Sequence, residues 1–344
     1  MIRSFILTLI LVNFFLSYNF TLAQGVPVTA SSVDLTSSSD TPLPGQKIVI
    51  TAKSFSIDIN SSTVTWTIDG KVSQKGIGLN KLEIIAPPLG KEYKIGVSVV
   101  TANGINLANS ITIGSGSVDM IMESNGYTPP FFKGKLPVAY QNNVNIIAIP
   151  HLADTKGVEY DPKTLVYQWK KSGRVVEDQS GYGKQVFTLV GDIIPREANI
   201  DVTVSTRDGK KRTIGYINVS YDSPSLNFYI DSSQYGPLFN SALSDNVFIG
   251  KEKETSILMV PYGFNKPVNG IGNLLLTWMI NGYEREELAT NESVTLRSPD
   301  NATGKSNIEL TIKNKKDILQ TASRGFSASF SANGGNTNQS NPSF

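Results

Sequence analysis

Each of the three tryptophans of this chain stands four residues before a glycine: VTWTIDG at 64–70, YQWKKSG at 167–173 and LTWMING at 276–282. A repeat with a period near a hundred residues sets the size of the folding unit before any local structure is considered. Other landmarks keep the same register. KGIG at 75–78 and SGYG at 180–183 lie 105 residues apart, and so do Asn103-Gly104 and Asp208-Gly209.

Between the landmarks the apolar residues alternate with polar ones: Tyr93, Ile95, Val97 and Val99 in the first copy, Ile200, Val202 and Val204 in the second, Ile308, Leu310 and Ile312 in the third. A period of two means a strand with one buried and one wet face. Asn103-Gly104 and Asp208-Gly209 read as two-residue hairpin turns joining these strands to the next, and the third copy replaces the turn with a longer loop near Asn314 and Asp317. A further strand precedes each Trp strand, at 48–50, 144–149 and 257–260. No sustained helical period occurs after the N-terminal apolar run. About seven short strands per unit of roughly a hundred residues is the size of an immunoglobulin-like (Ig-like) sandwich. The expected fold is therefore all-β, with three tandem Ig-like β-sandwich domains at 24–116, 117–224 and 225–331, separated by the short polar links 114–117 and 222–225.

The first 23 residues read as an export signal, with Arg3, an apolar run over 5–16 and small residues before a cleavage point that leaves Gln24 as the mature start. The run is shorter than the roughly 18–20 residues a spanning helix needs, and no later segment is long and apolar enough to span. The polar end, 332–344, lacks the apolar surface to offset chain entropy and is expected to be disordered. Lys plus Arg number 31 against 29 Asp plus Glu, which gives no electrostatic footprint for nucleic acid. With no Cys and one His, thiol chemistry, disulfides and Cys-based zinc sites are excluded. No cofactor or metal is expected.

The W-x-x-x-G strand followed by alternating strands, in tandem copies behind a signal peptide, resembles the Ig-like and polycystic-kidney-disease-like (PKD-like) repeats of bacterial surface and secreted proteins. Residues 66–70, WTIDG, approximate the PKD pattern, which carries Gly-Asp-Gly after the aromatic, and the other two copies lack the Asp. The resemblance covers nearly all of the mature chain. It implies a module for spacing, adhesion or assembly, and a fold does not by itself give a function.

Trp66, Trp169 and Trp278 are expected in the sandwich cores rather than as exposed sugar platforms, because the Trp of this strand packs inside an Ig-like domain. His151 has Asp154 and Glu159 nearby, yet the third copy carries Tyr262 at the equivalent place, so a structural role is favoured. The Gly-x-Gly pairs at 76–78 and 181–183 lack the following helix that a phosphate cradle needs and are read as turns. Lys210, Lys211 and Arg212 are read as a solvated hairpin tip. The sequons at Asn60, Asn218, Asn291 and Asn301 arise readily in a chain this rich in Asn, Ser and Thr.

Two aromatic and proline-bearing stretches remain: YTPPFF at 127–132 and YGPLF at 235–239. Each follows the first strand of its copy, where a proline suits a chain leaving a sheet edge. The first copy has prolines there and no aromatics. Tyr127, Phe131, Phe132, Tyr235 and Phe239 are therefore expected to pack at the junction between each domain and its predecessor, with a partner-binding patch as the alternative. Taken together, the sequence points to an exported, non-enzymatic Ig-like repeat protein of the cell surface, periplasm or extracellular space, acting as a spacer, adhesin or subunit of a cell-envelope assembly. Its expected partner is an envelope or surface protein or a glycan. A carbohydrate-binding module is the alternative, ahead of a glycan hydrolase, for which no pair of acids in an aromatic cleft is evident.

Overall fold

The computed structural model describes residues 32–130, 132–249, 254–297 and 303–330. The expected export signal and polar tail lie outside these residues, as does Phe131. Two compact units result, one holding the first sandwich and one holding the second and third, from Ser115 onward together with Leu89–Lys91.

In the first unit seven strands follow one another: β1 (Asp34–Ser37), β2 (Lys47–Lys53), β3 (Thr63–Ile68), β4 (Lys71–Ile77), β5 (Lys81–Ile85), β6 (Glu92–Val100) and β7 (Asn106–Gly114). They form two sheets, β1-β2-β5 and β4-β3-β6-β7. In the second sandwich β8 (Ser117–Ser124), β9 (Val144–His151) and β13 (Val186–Leu189) make one sheet. The other contains β10 (Val166–Lys171), β11 (Arg174–Val175), β12 (Gly181–Tyr182), β14 (Ala198–Ser205) and β15 (Arg212–Val219). The third repeats the scheme. One sheet has β16 (Ser225–Ser232), β17 (Gly236–Pro237), β19 (Glu254–Tyr262) and β22 (Ser293–Arg297). The facing sheet has β18 (Asn246–Ile249), β20 (Leu274–Ile280), β21 (Tyr283–Glu284), β23 (Gly304–Asn314) and β24 (Thr321–Phe330). The chain is thus a tandem of three Ig-like sandwiches, each with its own apolar core.

The Trp strand organises each core. Trp66 lies opposite Val97, Trp169 opposite Val202 and Trp278 opposite Leu310, the same place in three ladders. All three indoles are fully buried. A buried indole N–H needs an acceptor, and each finds a backbone carbonyl: Leu79 at 2.7 Å, Lys184 at 2.8 Å and Asn291 at 3.2 Å. Leu79 and Lys184 directly follow Gly78 and Gly183, so the Gly-x-Gly turns present the carbonyl that caps the indole. Phe187 packs on Trp169 at 5.3 Å between ring centroids, and Phe228 on Trp278 at 6.0 Å.

The glycine four residues after each Trp closes a two-residue hairpin. Ile68 pairs Lys71, Lys171 pairs Arg174 and Ile280 pairs Tyr283, and both central residues of each turn have positive φ. That is the backbone a type I′ turn requires. Asp69 and Asn281 extend the ladder as well, because their side-chain oxygens accept the Lys94 and Asn307 N–H at 2.9 Å each. The expectation that placed two-residue turns at Asn103-Gly104 and Asp208-Gly209 is corrected. There only the glycines have positive φ, and the loops close between Thr101 and Ile105 and between Thr206 and Lys211. The extra residues let a turn of ordinary hand end in a left-handed glycine.

Candidate functional site

Within the second unit the densest polar constellation lies where the second and third domains meet. The link is tied down first: Tyr140 N–H donates to the Asp222 carbonyl (3.0 Å) and Asp222 N–H to the Val138 carbonyl (2.9 Å). Gln141 and Asn142 follow, in the loop that leads into β9. Asn142 is fully buried. Its side-chain oxygen accepts from Ala139 N–H (2.7 Å) and the Ser124 hydroxyl (3.1 Å), and its amide donates to the Gly263 carbonyl (3.0 Å) and to Asn265 Oδ1 (2.7 Å). Every hydrogen-bonding position of the carboxamide is used, two of them across the domain boundary.

Gln141 adds a second clasp. Its backbone carbonyl accepts from Asn265 Nδ2 (3.1 Å) and its side-chain oxygen from Leu319 N–H (2.7 Å). It holds φ at 62°, a left-handed conformation that costs a residue with a Cβ about 1 kcal/mol. The contacts to the third domain hold it there. One comes from Asn265, just after β19, and the other from the loop between β23 and β24, which carries Asp317, Leu319 and Gln320 and is braced at the end of β23 by buried Asn314. Asn314 donates to Asp317 Oδ2 and Gln320 Oε1, and Gln320 donates to the Tyr140 carbonyl at 2.8 Å.

Tyr127 completes the joint by backbone pairing: its N–H donates to the Phe264 carbonyl (2.8 Å) and its carbonyl accepts from Gly263 N–H (2.9 Å). Backbones approach this closely because the positions facing them are glycine. A Cβ on Gly126 would lie 2.7 Å from Asn142 Oδ1 and 2.9 Å from Gly263 Cα, and one on Gly263 would lie 2.8 Å from the Ala139 Cβ. The Lys266 ammonium sits 3.8 Å from the centre of the Tyr127 ring and 3.1 Å from Glu292, with its side chain almost wholly buried. Burial, and then the Glu292 charge, push the Tyr127 phenol above its ordinary range.

Beside the joint runs a line of aromatic rings. Phe132 packs on Tyr262 at 5.7 Å, the Tyr262 and Tyr229 hydroxyls share a hydrogen bond of 2.7 Å, and Phe239 meets Tyr229 edge-on at 5.4 Å. Burial, and then the bond to Tyr229, push the Tyr262 phenol far above its ordinary range. The two aromatic stretches of the sequence therefore converge on one face of the third domain.

This corrects the expected placement. Tyr127 and Phe132 make their contacts with the following domain, the third, rather than with a predecessor. The reason is strand length: β8 spans eight residues, at ~3.3 Å each, so the stretch that follows it emerges at the far end of the second sandwich. Phe239 packs within its own domain, and Tyr235 is 79% exposed with no joint around it. Asn142, Gln141, Asn265, Asn314 and Gln320 were not anticipated, since buried amides carry no periodic signal. The one available clue was the third copy's departure from a hairpin near Asn314.

His151 is held elsewhere, by Glu159 on Nδ1 (3.1 Å) and Asp119 on Nε2 (3.4 Å), and Asp154 instead caps its own turn by accepting Lys156 and Val158 N–H. The Glu159 hydrogen bond leads in raising the imidazole above its ordinary value, against a smaller opposing effect of burial. The two carboxylates take opposite ring nitrogens and do not converge on a point. Among the described residues no cluster of three metal-ligating side chains occurs, and no helix is long and apolar enough to cross a membrane.

No family model and no curated protein matches the chain. Among solved structures it is similar to the three N-terminal domains of the highly immunogenic outer capsid protein of bacteriophage RB49. That match has 13% identity over 88% of this chain and 99% of the other, with a TM-score of 0.25. It is similar also to the central fibronectin-III array of RIM-binding protein (11% identity, 86% and 96% covered, TM-score 0.29). A third is SGBP-B of the Bacteroides ovatus mixed-linkage glucan utilization locus, in complex with a mixed-linkage heptasaccharide (12% identity, 87% and 68% covered, TM-score 0.23). Likeness at this level does not reach function.

Proposed function

We propose that the chain is an exported, non-enzymatic Ig-like repeat protein that serves as a spacer or subunit of a cell-envelope assembly, with the second and third domains as its stiff element. The observation that carries this reading is the saturated Asn142 carboxamide, fully buried and bonded to both domains. Breaking the joint strands buried acceptors and an N–H, at about 1–3 kcal/mol for each group left unpartnered. A flexible tether has no use for such a lock, whereas an element that sets a distance does. The pairing of both His151 nitrogens with carboxylates also supports a non-enzymatic role, since a proton-transfer base needs a free nitrogen.

The absence of Cys permits a direct test. Two exposed positions, Tyr216 in the second domain and Tyr283 in the third, are changed to Cys and spin-labelled. A single narrow distance is expected, and a broad distribution would remove the stiff element. Fractionation of host cells tests export: the chain should be recovered outside the cytoplasm and begin at Gln24. Recovery in the cytoplasm with Met1 retained would overturn that part.

A further inference from the structure

Phe132, Tyr229 and Tyr262 border a shallow recess of about 330 Å³, open to solvent, between the two domains. Its floor is the outward face of β16 and β19, with Ser225, Asn227, Tyr229 and Tyr262, and its wall is Phe132 with Lys135 of the second domain. We propose that this recess is a saccharide-binding subsite that takes a pyranose unit of an oligosaccharide. The site is separate from the spacing role and does not depend on it.

The chemistry of the lining selects the ligand. Phe132 and Tyr262 meet at 55°, so the recess presents ring faces at an angle rather than a closed stack, and Phe132 keeps 38% of its surface exposed. Polar groups sit between the rings. In the Tyr229–Tyr262 pair one hydroxyl donates to the other, which leaves the second O–H as a donor for another acceptor. Asn227 gives its side-chain oxygen to Arg324, leaving its amide hydrogens for a ligand. Ser225 adds a hydroxyl and Lys135 an ammonium, and no carboxylate lines the recess. A lipid chain would strand these donors, and an unpartnered polar group loses more than it gains on burial. A pyranose has what the lining lacks: an apolar C–H face for the rings and equatorial hydroxyls for the donors between them. The recess is small and open on its outer side, which suits one sugar unit of a chain that continues into solvent.

The test is titration of the full mature chain, by calorimetry and saturation-transfer NMR, with two arms. Cello-, xylo-, manno- and chito-tetraose form the neutral arm, and tetragalacturonate and tetramannuronate the acidic arm. Binding in at least one arm is expected. Phe132→Leu, which keeps apolar packing on Tyr262 and removes the aromatic face, should weaken it about tenfold or more. The label pair at 216 and 283 should keep its narrow distance in that variant, which separates loss of the subsite from loss of the joint. Lys135→Ala should weaken binding further if the acidic arm is the one that binds. Tyr216→Ala, on an exposed sheet face of the second domain, should leave affinity unchanged. No binding in either arm, affinity that survives Phe132→Leu, or affinity lost in Tyr216→Ala would each overturn the proposal.

Discussion

At the scale of single residues, burial decides what each side chain does. Trp169 is fully buried, packed against the tilted ring of Phe187 and bonded to the Lys184 carbonyl. Trp169→Ala should destabilise the second domain by about 3–5 kcal/mol, because a large side chain and its hydrogen bond are removed and the cavity collapses only in part. A denaturant curve unchanged by the substitution would contradict a core role. His151 makes a prediction of opposite character, since it acts through charge. Its folded-state pKa is raised, chiefly by the Glu159 hydrogen bond. The stability it adds is then fully present below the unfolded value near ~6.5 and is lost as pH rises through the folded value. The melting temperature of the transition that includes the second domain should fall from mildly acid to mildly alkaline pH, and His151→Gln should flatten that slope. A melting temperature that climbs over the same window in the unsubstituted protein, and climbs less in His151→Gln, would reverse the sign assigned to the pair.

At the scale of elements, the Trp hairpin shows how turn chemistry sets register. Gly173 has φ of 81°, and a Cβ built there meets nothing within 4 Å. Gly173→Ala should therefore cost about 1–2 kcal/mol of backbone strain with no clash, and Gly173→Asn less, since Asn tolerates the left-handed region. Chemical denaturation of the three proteins would rank them, and equal stability of all three would exclude strain as the cause. The strands were legible in the sequence because half-buried strands alternate, and Ile200, Val202 and Val204 do so without exception. The turns were less legible. Asn103-Gly104 has the dipeptide of a two-residue hairpin, yet the conformation depends on how many residues the flanking strands leave unpaired, which composition does not encode. The joint was least legible. Asn142 reads as one more loop amide, and only the approach of Gly263 and Asn265 from some 120 positions later makes it a clasp. The end of the sandwich on which the aromatic stretch at 127–132 lands was not legible either, since it depends on the length of β8.

At the scale of the whole molecule, the question is whether the second and third domains behave as one. Their hydrophobic cores are separate, and the aromatic contact of Phe132 on Tyr262 lies outside both. What couples them is mainly polar: the Asn142 carboxamide, the two clasps of Gln141, the backbone pair at Tyr127 and the Lys266 ammonium against the Tyr127 ring. Each such bond nets only ~1 kcal/mol when made. The cost of opening is larger, because opening one domain leaves the buried acceptors of the other without partners until water reaches them. Calorimetry of the full chain should therefore show the second and third domains melting in one transition. Asn142→Ala deletes both cross-domain bonds of that side chain and leaves the Ala139 N–H and the Gly263 carbonyl without those partners, a loss of about 1–3 kcal/mol each where they stay dry. The single transition should split in two, with Trp169 and Trp278 still buried below the first. Two transitions already present in the unsubstituted protein, or one that persists in Asn142→Ala, would mean that the amide network positions the domains without coupling their stability.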